Sequence, residues 1–450
     1  MTDTDAERAG GFGPALRWGA SLLAVGVVER ILIGLTYAPA PYGDSPSYMR
    51  LAEVLSKSWL SGYDGTRVPG YPTLLALLGR NPETVWVAQM ALGIAISLML
   101  YAIILRRTSR PSWAFAAGAL YNLIGAQVLF EANLLSETLT TFFLVASALL
   151  FLSLYPERRF GHLLALSALL GLAASLAGMV RTLFYFLPVW LVPFVWLASG
   201  GSWRRRLAAV CTMSLPAVLL LGGWLAWVDG HYGMLSPTTM SGYNLVQHTG
   251  SYFDDLPDSE SVIRDTYIKF RDQRLADRGV QTNTIWDAIP ELSQKTGLSF
   301  FALSAKLQEL SIQLIITHPL RYARDVITGW INFWKAPVYW IPDLVHPAGL
   351  TRLYAAWGWL GRGISLLANA IFLVVSVLVV FSRRLRHRWA IDLWSVLIAS
   401  TIWVSSIVQT LVDHGDNPRF LVPLQMFVVV CVLMVAYREV RARGVEPPVS

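Results

Sequence analysis

Charge is what this chain has least of. Only 14% of its 450 residues are charged while 54% are hydrophobic, against about 25% charged residues in an ordinary soluble domain. Too little polar surface remains to coat a water-exposed fold, which excludes soluble enzymes and secreted scaffolds. Cysteine is scarce too. Cys211 and Cys431 both sit in or beside apolar runs, so no disulfide framework, zinc spacing or redox pair is present. Alternation of polar and apolar residues is missing from the hydrophobic stretches, which excludes a membrane β-barrel. Met1–Arg17 has no compact signal-peptide layout ending in a small-residue cleavage site, so the first apolar run is expected to be retained as a span.

What is present is a series of long uncharged runs. Thr84–Leu105 and Ile364–Phe381 contain no Asp, Glu, Lys or Arg and match the ~20 residues that cross a bilayer core. The spans are expected at 16–36, 84–105, 112–130, 138–155, 162–179, 183–198, 207–228, 362–381, 389–411 and 420–437. The fold class is thus an all-α polytopic membrane protein with about ten transmembrane helices. A net charge of +7 would suggest nucleic acid in a soluble chain. Here the basic residues stand in short clusters between spans, so no nucleic-acid partner is expected. Those clusters are Arg106–Arg110, Arg158-Arg159, Arg204–Arg206, Arg383–Arg388 and Arg438–Arg443. If the chain starts inside and alternates, all five fall on the cytoplasmic face. Both termini are then cytoplasmic, in a multi-pass protein of the cytoplasmic (inner) membrane.

Three regions follow: an N-terminal transmembrane module 1–228 with a first outer loop 37–83, a large non-cytoplasmic segment 229–361, and C-terminal spans with a tail, 362–450. The aromatic stretch 322–342 would reverse the parity if it crossed. Its Pro337 and Pro342, with Trp330, Trp334 and Trp340, predict an interfacial helix instead. Ser45-Pro46 predicts a helix start in the first outer loop. The following apolar positions Tyr48, Leu51, Leu55 and Trp59 make that helix amphipathic, lying on the membrane surface.

Candidate chemistry gathers on the non-cytoplasmic side. Asp44 precedes the amphipathic helix, where it serves either as a reactive carboxylate or as a simple complement to the helix dipole. Arg67, in a stretch stiffened by Pro69, Gly70 and Pro72, can grip a phosphate with two parallel hydrogen bonds or merely reach for lipid headgroups. Glu131 and Glu137 flank a short outer turn, with Ser136 or Asn133 as a helix cap. Glu29-Arg30 lies roughly 10 Å below the outer end of the first span. Arg181 is the one charge in a tight turn between apolar helices. Asp413-His414-Gly415-Asp416-Asn417-Pro418-Arg419 offers acids, a histidine and an arginine, from which a divalent metal site stays open although the spacing matches no strong ligand pattern. His248 stands in the large outer segment. Different loops bring Asp44, Arg67, Glu137, Arg181, His248 and Arg419 to one face. Cations converging with a carboxylate there suit group transfer from a phosphorylated lipid.

The motifs also carry a resemblance. Asp44-x-x-x-Tyr48-x-x-x-Ala52, Arg67-x-Pro69-Gly70-Tyr71-Pro72 and Leu135-Ser136-Glu137-Thr138-Leu139 resemble the bacterial protein-O-mannosyltransferase-like group. These are membrane glycosyltransferases of the GT-C fold, akin to the lipid A aminoarabinose transferases. Gly178–Arg181, Ser241–Leu245, His318–Tyr322 and Pro418–Pro423 follow in the family's order. Gly43 stands where the family often carries a second acid. The resemblance implies inverting transfer of a hexosyl or pentosyl unit from a polyprenyl-phosphate sugar donor. The acceptor is an envelope glycan, a glycolipid or a protein, reached on the non-cytoplasmic face of the cell membrane. It places Asp44 as the catalytic base or acceptor-orienting carboxylate and Arg67 or Arg181 at the donor phosphate, with Arg419 a further candidate there. Tyr48, Tyr71, Glu131, Glu137, His248 and Asp416 are further outer-face candidates. No cofactor is required by this reading beyond an optional divalent metal ion. The alternative function is a lipid-linked sugar flippase or transporter, and a non-catalytic assembly protein is the third.

Overall fold

The computed structural model describes residues 3–156, 158–413 and 418–444. The first half is built from α1 (Asp3–Thr36), α2 (Ser45–Ser58), α3 (Gly70–Leu77), α4 (Pro82–Thr108), α5 (Pro111–Leu123), α6 (Gly125–Ala132), α7 (Glu137–Leu152), α8 (Phe160–Val180), α9 (Leu187–Ser199), α10 (Trp203–Ala217) and α11 (Gly223–Tyr232). Between these and the last spans lie α12 (Ser241–Thr249), α13 (Ser261–Arg278), α14 (Thr284–Thr296), α15 (Phe300–Thr317) and α16 (Pro319–Phe333). The chain closes with α17 (Thr351–Phe381), α18 (Arg383–Arg388), α19 (Leu393–Val412) and α20 (Val422–Ala442).

Eight of the described segments are long and apolar enough to cross a bilayer, and the pair α5 and α6, bent by 55° at their junction, makes a ninth. The sixteen-residue apolar helix α7 occupies the remaining position of the ten expected from sequence. The bend between α5 and α6 has a visible cause. Ile124 adopts an extended backbone, and a Cβ on Gly361 would stand 2.7 Å from the Gly125 nitrogen. Helix α17 therefore wedges its glycine against the break. Trp357 Nε1 donates to the Leu123 carbonyl at 2.9 Å, which satisfies an acceptor close to the interruption.

All five basic clusters meet at one end of the bundle. Arg106 reaches Ser153 at 2.7 Å, Arg205 reaches the Arg158 carbonyl at 2.5 Å, Arg107 pairs with Asp392, and Arg388 pairs with Glu439. At the opposite end the first loop, the short α6–α7 turn and the 229–361 segment come together. Residues 241–314 enclose a second core of their own around Tyr243, Phe253, Tyr267, Leu292, Leu303 and Leu307. Gly242 permits the closest contact of this subdomain, because a Cβ there would collide with the Ser304 carbonyl.

Helix α16 differs from the expected interfacial helix. It descends beside α19 rather than lying flat. Tyr322 donates to the Leu411 carbonyl at 2.6 Å, while further along Trp330 stacks on Trp403 with ring centroids 5.7 Å apart. Eight residues of α19 separate those contacts, about 12 Å of depth at 1.5 Å per residue. The chain then leaves the helix at Phe333 and returns. Ile341 N donates to Tyr37 Oη at 2.8 Å and His346 N to the Thr36 carbonyl at 2.8 Å, both beside the end of α1. The segment enters and exits on one side, so its aromatics do not alter the parity of the spans. In α2, Tyr48, Leu51 and Leu55 are buried as expected, but against α3 and the end of α11. Trp59 caps the helix at φ 55° and turns outward.

Candidate active site

A short parallel bridge positions the first loop. Ala40 N donates to the Ala132 carbonyl at 2.9 Å, and Leu134 N returns a bond to the Ala40 carbonyl at 3.1 Å. Gln89 Nε2 holds the carbonyls of Glu131 and Asn133 at 2.8 and 2.9 Å. Residues 41–44 are thereby fixed beside the start of α7. Ser45, expected as a helix cap, is instead the first residue of α2. Its hydroxyl accepts from Tyr42 N and donates to the Leu134 carbonyl, each at 2.9 Å. Asp44 takes the cap position but makes no capping hydrogen bond. Its carboxylate is turned the other way. Ser136 likewise precedes α7 without capping it and faces the Tyr48 hydroxyl at 3.4 Å.

The carboxylate of Asp44 lies between two arginines. Arg67 Nη2 donates to Oδ1 at 2.6 Å, and Arg419 Nη2 donates to Oδ2. Arg419 Nε also stands 3.6 Å from Glu137 Oε1, and Arg181 Nη1 donates to that same oxygen at 2.7 Å. The result is an alternating chain, Arg67–Asp44–Arg419–Glu137–Arg181, of three cations and two anions. Aromatic faces back the cations: Tyr48 lies 5.4 Å from the Arg67 guanidinium and Phe420 4.4 Å from that of Arg181. Tyr71 packs edge-on against Tyr48 at 5.0 Å and donates to Gln89 at 3.2 Å.

Burial by itself would raise the Asp44 pKa. The charges of Arg67 and Arg419, with Arg181 beyond them, outweigh it and hold the carboxyl well below the ordinary range. Burial disfavours the cation on Arg67, but Asp44 more than restores it. Both groups stay ionised at any physiological pH.

A cavity of about 930 Å³ opens on this chain. Asp44, Tyr48, Arg67, Arg181 and Arg419 line it, together with apolar residues of the span ends, Leu183, Val408 and Val412. Glu137 is only 1% exposed and lies behind the arginines. Asp44 therefore faces the cavity and Glu137 orients what faces it. Each arginine gives one hydrogen bond to an acid, and a guanidinium carries further Nη–H donors with which to meet a ligand.

Asp413 also lines this cavity, while the other sequence candidates lie elsewhere. Glu131 is fully buried within the bundle, where Arg30 donates to its two oxygens at 3.0 and 2.6 Å and Tyr121 donates at 3.0 Å. Gly93 leaves room for that carboxylate, which a Cβ would strike. The cluster, joined by Glu29 and Asn122, pins α1 to α5 and α6. His248 is buried in the 241–314 subdomain, its ring 5.3 Å from Tyr322. Asp416 and His414 lie outside the described residues. Among the described residues no group of three or more His, Cys, Asp or Glu is placed to hold a metal ion. Sequence reasoning missed the cavity wall contributed by residues 236–308. Asn244, Asn283, Trp286 and Gln308 line it, and no spacing within the segment marks them.

No protein-family model matches the sequence, and no curated protein matches it. In structure the chain is similar to ArnT, a lipid A aminoarabinose transferase, from Cupriavidus metallidurans bound to undecaprenyl phosphate. The identity is 13% and the TM-score 0.38, over 92% of this chain and 77% of that one. It is also similar to archaeal oligosaccharyltransferase AglB from Archaeoglobus fulgidus in complex with an inhibitory peptide and a dolichol-phosphate. There the identity is 13% and the TM-score 0.45, over 96% of this chain and 53% of that one. The chain thus spans about half the length of AglB. Both neighbours are membrane glycosyltransferases of the GT-C fold. The chemistry of the present site has to come from its own residues.

Proposed function

We propose that the chain is an inverting membrane glycosyltransferase that takes a sugar from a polyprenyl-phosphate donor. The observation that carries this reading is the convergence of Arg67, Arg181 and Arg419 on one cavity with Asp44 held between two of them. Three guanidiniums in one cleft at the end of a membrane bundle suit a phosphate. Leu183, Val408 and Val412 line the same cavity and offer the prenyl chain an apolar path toward the bilayer. In the reaction the acceptor oxygen attacks the anomeric carbon, the bond from that carbon to the phosphate oxygen breaks, and polyprenyl phosphate leaves with the electron pair. The acceptor proton passes to Asp44. The leaving group is already a stable anion, so the arginines stabilise its growing charge and no general acid is needed.

The resting geometry adds a condition. With both oxygens engaged by arginines, Asp44 is a weak base. A donor phosphate competes for Arg67 and Arg419, and as they turn to it Asp44 is released and its basicity rises. Donor binding thus arms the base. The site lies opposite the five basic clusters, which supports a non-cytoplasmic face of the cytoplasmic membrane for it. A flippase or transporter would use charges along a path through the bundle. The charges within this bundle, Arg30 and Glu131, are instead packed against each other, 4% and 0% exposed.

The test is binding of undecaprenyl phosphate to the purified protein in nanodiscs, followed by release of that lipid from a labelled polyprenyl-phosphate sugar. Arg67→Ala and Arg181→Ala should each weaken binding at least tenfold, from loss of a charge-assisted hydrogen bond worth about 1.5–3 kcal/mol. Arg67→Lys should restore it only in part, since an ammonium cannot form the bidentate fork. Failure of the wild type to bind the lipid phosphate overturns the reading.

A further inference from the structure

The cavity has two chemically different walls. One is the arginine and carboxylate chain. The other comes from the 236–308 segment, whose lining residues include Thr238, Ser241, Asn244, Asn283, Trp286 and Gln308 and not one ionisable side chain. This is not for want of charge in the segment. Its outer surface carries Arg271 paired with Asp254, Arg274 with Asp287 at 2.7 Å and Lys269 with Glu291 at 2.8 Å. The charges are kept on the outside of the subdomain and the amides and hydroxyls face the cavity.

The neutral wall is also held rigid. Asn283 adopts φ 66°, a left-handed conformation that asparagine tolerates better than most residues. Its backbone N–H donates to Gln247 Oε1 at 2.8 Å, and its side-chain oxygen accepts from Gln247 Nε2 and from Trp286 Nε1, both at 3.2 Å. Trp286 packs on Tyr243 with centroids 5.7 Å apart, and Tyr243 is itself tied to the Phe300 carbonyl at 2.6 Å. The indole edge and one side of its ring are therefore fixed, while the half-buried remainder lines the cavity.

We infer that this wall, centred on Trp286 with Asn244, Asn283 and Gln308, is the acceptor subsite and that it takes an uncharged carbohydrate. The inference rests on the glycosyltransferase reading above and names its acceptor class. Sugar hydroxyls both donate and accept hydrogen bonds, and so do carboxamides and hydroxyls. The apolar C–H face of a pyranose or furanose ring matches an aromatic platform. An anionic glycan would lose water along this wall without meeting a compensating charge. A peptide acceptor bound by strand addition would need a sheet edge for its backbone, and the described residues around the wall are helical segments and turns.

The experiment uses the full chain in nanodiscs loaded with undecaprenyl phosphate and reads ligand contact by saturation-transfer NMR. The probes are neutral gluco-, manno-, galacto- and arabino-oligosaccharides, oligogalacturonate as the anionic counterpart, and a Ser/Thr-rich peptide. At least one neutral oligosaccharide should bind. Trp286→Ala should weaken it at least tenfold, Trp286→Phe should recover part of that loss, and undecaprenyl phosphate affinity per folded molecule should stay at the wild-type value. Binding of no neutral probe, preference for oligogalacturonate or the peptide, or unchanged binding in Trp286→Ala overturns the inference. If undecaprenyl phosphate itself fails to bind the wild type, it is the glycosyltransferase reading that falls, and that outcome is read separately in the same samples.

Discussion

Replacing Asp44 by Asn separates the two things its carboxylate does. Asp44 accepts hydrogen bonds from Arg67 and Arg419, and an incoming phosphate has to displace it. A hydrogen bond to a charged group contributes about 1.5–3 kcal/mol and a neutral one about 0.5–1.5 kcal/mol. Asparagine removes the anion and offers one acceptor oxygen where two arginines donate, so one of the two charge-assisted bonds is lost, and at 1.4 kcal/mol per factor of ten a loss of about 1.5 kcal/mol amounts to about tenfold tighter donor binding. The same variant cannot accept the acceptor's proton, so its turnover should fall by the ~10²–10⁴-fold typical of a lost general base. Because three arginines then face one acid, undecaprenyl phosphate should raise the melting temperature of Asp44→Asn more than that of the wild type. The assay is lipid binding, turnover and thermal shift on one preparation in nanodiscs. Weaker donor binding together with normal turnover would refute both the base and the competition.

Four further expectations follow from the same geometry. The Asp44 carboxyl is held below the ordinary carboxylate range by its arginines, so kcat/KM should stay flat from pH 8 to about 5. Once phosphate has drawn the arginines away, the acid limb of kcat should lie at higher pH than that of kcat/KM, and coincident limbs would contradict the arming step. The stability this depressed carboxyl contributes is present above its unfolded value, about pH 4, and is lost only as pH falls further, which acid titration of the melting temperature checks. Glu131→Gln should cost up to about 3–5 kcal/mol of stability by leaving Arg30 buried without its partner, with undecaprenyl phosphate binding per folded molecule unchanged. A cysteine placed at Asp258 should react with an impermeant maleimide from outside the cytoplasmic membrane and one at Ser202 should not, and the reverse pattern would invert the site's face.

The spans were legible because continuous apolarity is a local property, and so were the five basic clusters that the fold gathers at one end. Arg67, Arg181, Arg419 and Asp44 were legible as candidates because isolated charges at span ends are costly and few. Their pairing was not. Asp44 and Arg419 are 375 positions apart, and nothing local distinguishes an acid that caps a helix from one that turns away from it. Glu131 and Glu137 looked alike, six residues apart on one turn. The bend at Gly125, set by contact with Gly361, belongs to the turn of chain that sends one into the bundle and leaves the other behind the cavity. The path of α16 was misread because aromatic enrichment marks both a helix at the interface and one packed against another helix, and only its stacking on Trp403 distinguishes them.

Asp44 and Glu137 share a chemistry and an arginine, yet their surroundings give them different work. Glu137 has one oxygen shared between Arg181 and Arg419 and no opening to the cavity. It can fix the spacing of two cations but cannot reach an acceptor. Asp44 touches the cavity, and its side chain is 20% exposed, so it can exchange arginine partners for an acceptor hydroxyl. The alternating order follows from these constraints. Three cations close enough to hold one phosphate would repel each other in the empty site, and two carboxylates between them relieve that repulsion. Glu137 does so permanently and Asp44 only until the phosphate takes its place. On the proposed reading, a site built this way keeps Asp44 paired with its arginines until a phosphate competes for them.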